Sequence, residues 1–184
     1  MNLQALRYPI GEFDLPKQIT PSQIEEWIGV IESFPATLHK LTHQLSAVEL
    51  NWQYRPEGWS IKQVVHHCGD SHLNSLMRFK LALTEDQPMI KPYLEDQWAL
   101  LADSLDDQLE PSLKLLEGLH YRWVVLLRSL TSEQLCRTFV HPEHGTTITL
   151  KQTIGNYAWH CNHHQAHIEQ AITYHGDFSS LYEV

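Results

Sequence analysis

Four segments of this 184-residue chain place a hydroxyl residue three positions ahead of a glutamine: Thr20-Pro21-Ser22-Gln23, Ser60-Ile61-Lys62-Gln63, Thr131-Ser132-Glu133-Gln134 and Thr149-Leu150-Lys151-Gln152. In this spacing the hydroxyl accepts from an orphan N–H at the start of a helix while the glutamine reaches back to the cap. Pro21 adds a proline favoured in the first turn. Behind the first box, Ile24, Trp27, Ile28, Ile31, Phe34, Leu38, Leu41 and Leu45 recur at three- and four-residue steps. That period predicts an amphipathic helix, which Pro35 is expected to kink. Ile61, Val64, Val65, Cys68, His72, Leu76, Phe79 and Leu83 repeat the pattern behind the second box. Leu113, Leu116, Leu119, Trp123, Leu126, Leu127 and Leu130 mark a third helix, and Leu150, Ile154, Tyr157, Cys161, His164, Ile168 and Ile172 a fourth. The Thr131 box is expected to open only a short helical turn.

Strand signals are weak. Residues 1–19, with Pro9 and Pro16, read as an extended N-terminal arm laid over the domain, and residues 86–98, with Pro88 and Pro92, as a long connection. The stretch from Phe139 to Ile148 has room for a small hairpin around His144-Gly145. Four amphipathic helices and two long loops predict an all-α fold, a four-helix bundle, and the length fits a single domain over residues 1–184. Bundle cores are a common place for metal sites.

Charge narrows the partners. A net charge of −9 opposes nucleic acid or an anionic membrane as the main partner, because both need basic surface. No apolar run approaches the roughly 18 residues that span a bilayer, and the first residues lack the pattern of a signal peptide. Cys68, Cys136 and Cys161 are an odd number without CxxC spacing, which fits a reducing cytoplasm better than a disulfide framework.

The fourth helix carries the chemistry. Trp159-His160-Cys161-Asn162-His163-His164-Gln165-Ala166-His167 holds four of the thirteen histidines. Residues four apart lie one turn above each other, so His160 and His164 can aim at one point, as can His163 and His167. The apolar stripe centres near Tyr157, Cys161 and Ile168; His164 lies inside it, His160 beside it, and His167 and His163 progressively further towards solvent. Periodicity thus favours the 160/164 pair. Against this stands the plain alternative of histidines decorating a surface helix. On the second helix the choice stays open on periodicity alone: His72 lies within the stripe and His67 at its margin. The two point about 140° apart, too far to share an ion.

Longer motifs add a resemblance. They are Arg7-Tyr8-Pro9-Ile10-Gly11-Glu12-Phe13, Tyr54-Arg55-Pro56-Glu57-Gly58-Trp59-Ser60, Gln63-Val64-Val65-His66-His67-Cys68-Gly69-Asp70-Ser71-His72, Leu119-His120-Tyr121-Arg122-Trp123 and the Trp159–His167 segment. Over nearly its whole length the chain resembles the YfiT-like members of the DinB superfamily, known as metal-dependent hydrolases and bacillithiol transferases. The resemblance implies a four-helix bundle, commonly a homodimer, with one zinc or nickel ion per chain. It also implies His67, His160 and His164 as the metal ligands, in place of the open choice on the second helix.

Three neutral imidazoles leave an ion's full charge available and a coordination position free. Two enzymatic readings follow: a hydrolase whose ion activates water, or a transferase whose ion holds a low-molecular-weight, bacillithiol-like thiol for attack on an electrophile. Each takes a small-molecule substrate. A non-catalytic metal- or haem-binding bundle is the third reading. Asp70 and Glu169 read as solvated carboxylates before they read as a general base, and the catalytic residues are unassigned. Glu117-Gly118-Leu119-His120 has the ExxH spacing of di-iron bundles in a single copy, so His120 reads as a core or cavity residue. His141 and His144 are expected at a loop or lip, the tryptophans in the core or cavity rim, and the cysteines as small buried apolar groups.

Overall fold

The computed structural model describes residues 3–142 and 145–179. Its frame is four long helices: α2 (Pro21–Thr42), α4 (Ile61–Thr84), α6 (Glu110–Arg128) and α8 (Leu150–Thr173). Short helical turns α1 (Leu3–Arg7), α3 (Ala47–Leu50), α5 (Glu95–Trp98) and α7 (Ser132–Leu135) lie in the connections. Strands β1 (Thr138–His141) and β2 (Thr146–Thr149) pair antiparallel, with Phe139 opposite Ile148. The fold is therefore a four-helix bundle with a two-stranded hairpin before its last helix.

The boxes sit where helices begin. At α2, Thr20 Oγ1 accepts from the Gln23 N–H at 3.2 Å. At α4, Gln63 Oε1 accepts from the Ser60 N–H at 2.9 Å. Both halves form at α8: the Gln152 N–H donates to Thr149 Oγ1 at 3.3 Å, and the Thr149 N–H donates to Gln152 Oε1 at 2.9 Å. The Thr131 box opens only the short α7. A fifth box, Ser46 with Glu49, opens α3 and uses glutamate in place of glutamine.

One expectation about the chain path needs correction. The arm is not extended throughout, since Leu3–Arg7 forms the single-turn α1, with Leu6 fully buried. Helix α2 continues through Pro35 to Thr42. The expected hairpin is present, and His144 lies outside the described residues.

Helix α2 packs on α6 and α8, and α4 packs on the same two. The order around the bundle is therefore α2, α6, α4, α8, with α2 opposite α4 and α6 opposite α8. Short loops would force consecutive helices to be neighbours. Here the long connections 43–60 and 129–149 carry the chain diagonally across the bundle end. One consequence matters for function: α4 and α8, distant in sequence, share a face.

Ile28, Ile31, Leu38, Val64, Val65, Phe79, Leu116, Trp123, Leu127, Ile154 and Ile168 form the core from all four helices, each nearly inaccessible. Helices α2 and α8 approach closely where α8 has Gly155, since a Cβ there would stand 2.8 Å from the Trp27 ring. The hairpin is tied to the end of α4 by Arg137, whose guanidinium donates to the carbonyls of Ala82 and Glu85. Among the described residues, no helix is long and apolar enough to cross a membrane.

The cap of α8 fixes the helix that carries the histidine cluster. Thr149→Ala is expected to cost about 1 kcal/mol of stability. The check is a lowered urea midpoint at unchanged slope. An unmoved midpoint would show that the hydroxyl contributes nothing there.

Candidate metal centre

One ring nitrogen from each of His67, His160 and His164 lies within 4.8 Å of the others. His67 comes from the second turn of α4, His160 and His164 from successive turns of α8. His67 and His164 are buried, and His160 is partly accessible, so the cluster borders solvent on one side.

The spacing suits a cation better than a hydrogen bond. His67 Nε2 and His160 Nε2 stand 3.4 Å apart, beyond the 2.7–3.2 Å of a good N–H bond. A tetrahedral ion with arms of 2.0–2.1 Å separates its ligand nitrogens by about 3.3 Å. Ring contacts keep the imidazoles in place, with Trp59 against His67 at 4.7 Å and His160 against His164 at 4.4 Å between centroids.

Electrostatics favour the ligating form. Burial pushes the His67 pKa down to about 4, helped by the nearby His163. Burial likewise holds His160 and His164 well below the ordinary value, with His67 and the other imidazoles adding to the effect. The rings are neutral near pH 7, and a neutral imidazole is what binds a metal ion.

His72 does not join the cluster. It meets His160 from the opposite side of the ring, with Nε2 3.0 Å from His160 Nδ1. His67 and His72 thus grip two different nitrogens of one imidazole, as their divergence along α4 requires. His72 Nδ1 in turn lies 2.7 Å from His120 Nε2, deep between Phe34 and Trp123. His66, next to His67, is spent on structure: Nε2 donates to the Asp106 carbonyl at 2.9 Å and Nδ1 pairs with Ser112 at 2.8 Å.

His163 and His167 depart from the expected drift towards solvent, since both are buried. The cover comes from outside the helix. Tyr54 stacks on His167 at 3.7 Å, Tyr8 lies 5.6 Å from His163, and His167 Nε2 donates to the Arg7 carbonyl at 2.9 Å. Helical periodicity gives no sign of that covering arm. The Trp159 indole N–H fastens the arm further along, at the Gly11 carbonyl.

The cluster opens into a cavity of about 350 Å³ lined in part by Arg7, Arg55, Glu57, Glu95, Asp96 and Trp159. A neighbouring cavity of about 740 Å³ reaches His160 from the hairpin side, past Ser71, Tyr93, His141 and Tyr157. Ser71 Oγ lies 3.5 Å from His160 Nε2 and 3.3 Å from the Tyr157 hydroxyl. Arg7, Arg55, Glu95 and Asp96 are rim residues that periodicity does not point to, because they lie in the arm and the loops. Asp70 is half-buried, with its carboxyl raised by burial, and Glu169 is exposed and bonded to Gln165. Cys68 and Cys161 are buried, and burial pushes their thiols up, so they pack as small apolar groups.

A helical bundle with three convergent imidazoles facing a cavity defines a class, the histidine-clustered bundles able to hold a metal ion. Residues 31–168 match the family described as the DinB superfamily, and the chain belongs to it. A Halalkalibacterium halodurans protein is 48% identical over 166 residues, covering 90% of this chain and 96% of its own. A Bacillus cereus protein is 53% identical over 163 residues, covering 89% and 93%. Both bear names that make them candidate metal-dependent hydrolases. The solved structure of YfiT from Bacillus subtilis is 45% identical and superposes with a TM-score of 0.90 over 94% of this chain and 98% of that one. It is described as a candidate metal-dependent hydrolase with an unusual four-helix bundle topology.

The lowered histidines set a pH dependence for the metal-free protein. His67, His120 and His163 stand at about 4 and His167 at about 3, against 6.5 when unfolded. Below 6.5 the unfolded chain takes up protons that the folded chain refuses, so stability is full above that value and drains as pH falls towards 4. Urea midpoints are expected to drop steeply between pH 7 and pH 5. A flat profile there would contradict buried, neutral rings.

Proposed function

We propose that this chain is a metal-dependent hydrolase that holds one zinc or nickel ion on His67, His160 and His164. The observation that carries the reading is the convergence of three buried or half-buried ring nitrogens, from two packed helices, at a spacing that suits a cation. The names of the relatives, drawn along nearly the full length of both chains, support it. Such an ion supplies Lewis acidity, which makes water nucleophilic near neutral pH and polarises a carbonyl.

The protein's own groups do the rest. Three neutral ligands leave the charge of the centre uncancelled. Ser71 and Tyr157 place hydroxyls beside the ligating face of His160, positioned to hold a polar substrate atom or pass a proton. Arg7 and Arg55 line the cavity together with Glu57, Glu95 and Asp96, so a substrate meets both signs of charge at the rim. Trp59 and Trp159 wall the cavity and limit water.

His164→Ala is expected to lose most bound metal while the bundle stays folded, read by elemental analysis beside thermal unfolding. Wild-type metal content in that variant would refute the ligand assignment. Activity is tested on a panel of esters, amides and chlorinated aromatics, each with and without small thiols. Hydrolysis without thiol is the expected result; turnover only with thiol would overturn it in favour of thiol transfer.

A further inference from the structure

The proline within α2 leaves one helical carbonyl without its donor. Pro35 has no N–H, so the Ile31 oxygen, four residues earlier, has no partner in its own helix. His120 of α6 fills the vacancy, with Nδ1 2.5 Å from that oxygen. A carbonyl only accepts, so this nitrogen carries the proton. In a neutral ring Nε2 is then a bare lone pair, and the 2.7 Å contact beyond it requires the proton on His72 Nδ1. The same count passes on. His72 Nε2 is bare, and the 3.0 Å contact to His160 requires the proton on His160 Nδ1. His160 Nε2 is left as a lone pair on the side that faces His67. One group from each of α2, α6, α4 and α8 takes part.

On the other side of the cluster the Arg7 carbonyl accepts from His167 Nε2 at 2.9 Å, which leaves His167 Nδ1 bare. That atom stands 3.4 Å from His164 Nδ1, as far as His67 Nε2 stands from His160 Nε2, so it fixes no proton on His164.

We propose that the chain from Ile31 to His160 is a tautomer lock. The Ile31 carbonyl, acting through His120 and His72, holds His160 in the form that presents Nε2 to the cation. Which nitrogen of an imidazole can ligate is set by the bond the other makes. Without the lock, His160 spends part of its time with a proton where the ion must bind, and apparent affinity falls by that fraction. His72 and His120 are positioning residues and act only through His160. Pro35 is the residue that frees the carbonyl at the head of the chain. The inference rests on the three-histidine reading of the metal centre.

The test uses the full chain and has two readouts. In the metal-free protein labelled with imidazole nitrogen-15, long-range nitrogen–proton spectra near neutral pH are expected to show His160 protonated at Nδ1 and bare at Nε2. A proton on Nε2 of that ring, or a mixture, would overturn the lock. This measurement needs no variant to fold and no metal to bind. Zinc affinity, taken by competition with a chelating dye, is the second readout. His120→Leu is expected to lower it about tenfold or more, in line with other residues that orient metal ligands. His120→Gln carries an amide oxygen to the place of Nε2, where it accepts from His72, and is expected to recover most of the loss. Unchanged affinity in folded His120→Leu would overturn the proposal, as would a loss that glutamine does not recover. A wild-type protein with no affinity for zinc or nickel would sink the metal-centre reading itself, while the spectra still report on the lock.

Discussion

A buried imidazole brings two ring nitrogens into a place without water, and each left unmatched costs of order 1–3 kcal/mol. The interior of this bundle is arranged around that demand. His66 meets it with Asp106 and Ser112, His72 with His120 and His160, and His120 with Ile31 and His72. At the inner face of His67 and His160 the matching stops: two ring nitrogens confront each other at a distance too long for a good hydrogen bond. Convergent ring nitrogens without a good hydrogen bond between them are an arrangement that could hold a cation.

The diagonal order of the helices makes this possible. In the order α2, α6, α4, α8 the pairs α8–α4, α4–α6 and α6–α2 are neighbours. The polar chain from His160 to Ile31 passes through these three pairs in turn, flanked by Phe34, Trp123 and Tyr157. Aromatic rings around it exclude water and hold each imidazole against rotation. The arm serves the outer side in the same way, with Tyr54 stacked on His167 and Leu6 buried beneath α1. In simple sequential order α8 and α4 would stand diagonally opposite, as would α6 and α2, and two of these contacts would be lost.

Departures from local expectation gather at the centre. Pro35 inside α2 breaks the rule against interior proline, and the missing hydrogen bond reappears as the His120 contact. Histidines 163 and 167 break the helical periodicity, and the arm explains them. Such conflicts between local and global preference are expected where a fold carries function.

Much was legible in the chain alone. Caps and three- and four-residue spacing depend on contacts within a few residues, so the four long helices, the short turn at Thr131 and the hairpin follow from sequence. The pair His160 and His164 follows as well, being one turn apart on a single helix. The choice of His67 over His72 needed the resemblance to the DinB superfamily, because both lie near the same stripe of α4. What only the tertiary structure decided is which helices touch, and hence that His67 meets one nitrogen of His160 while His72 meets the other. It also decided the cover over His163 and His167 and the rim of Arg7, Arg55, Glu95 and Asp96. The physical reason is range: a helix reports its own faces through its period, but the partner that each face meets depends on long connections whose path no local spacing records.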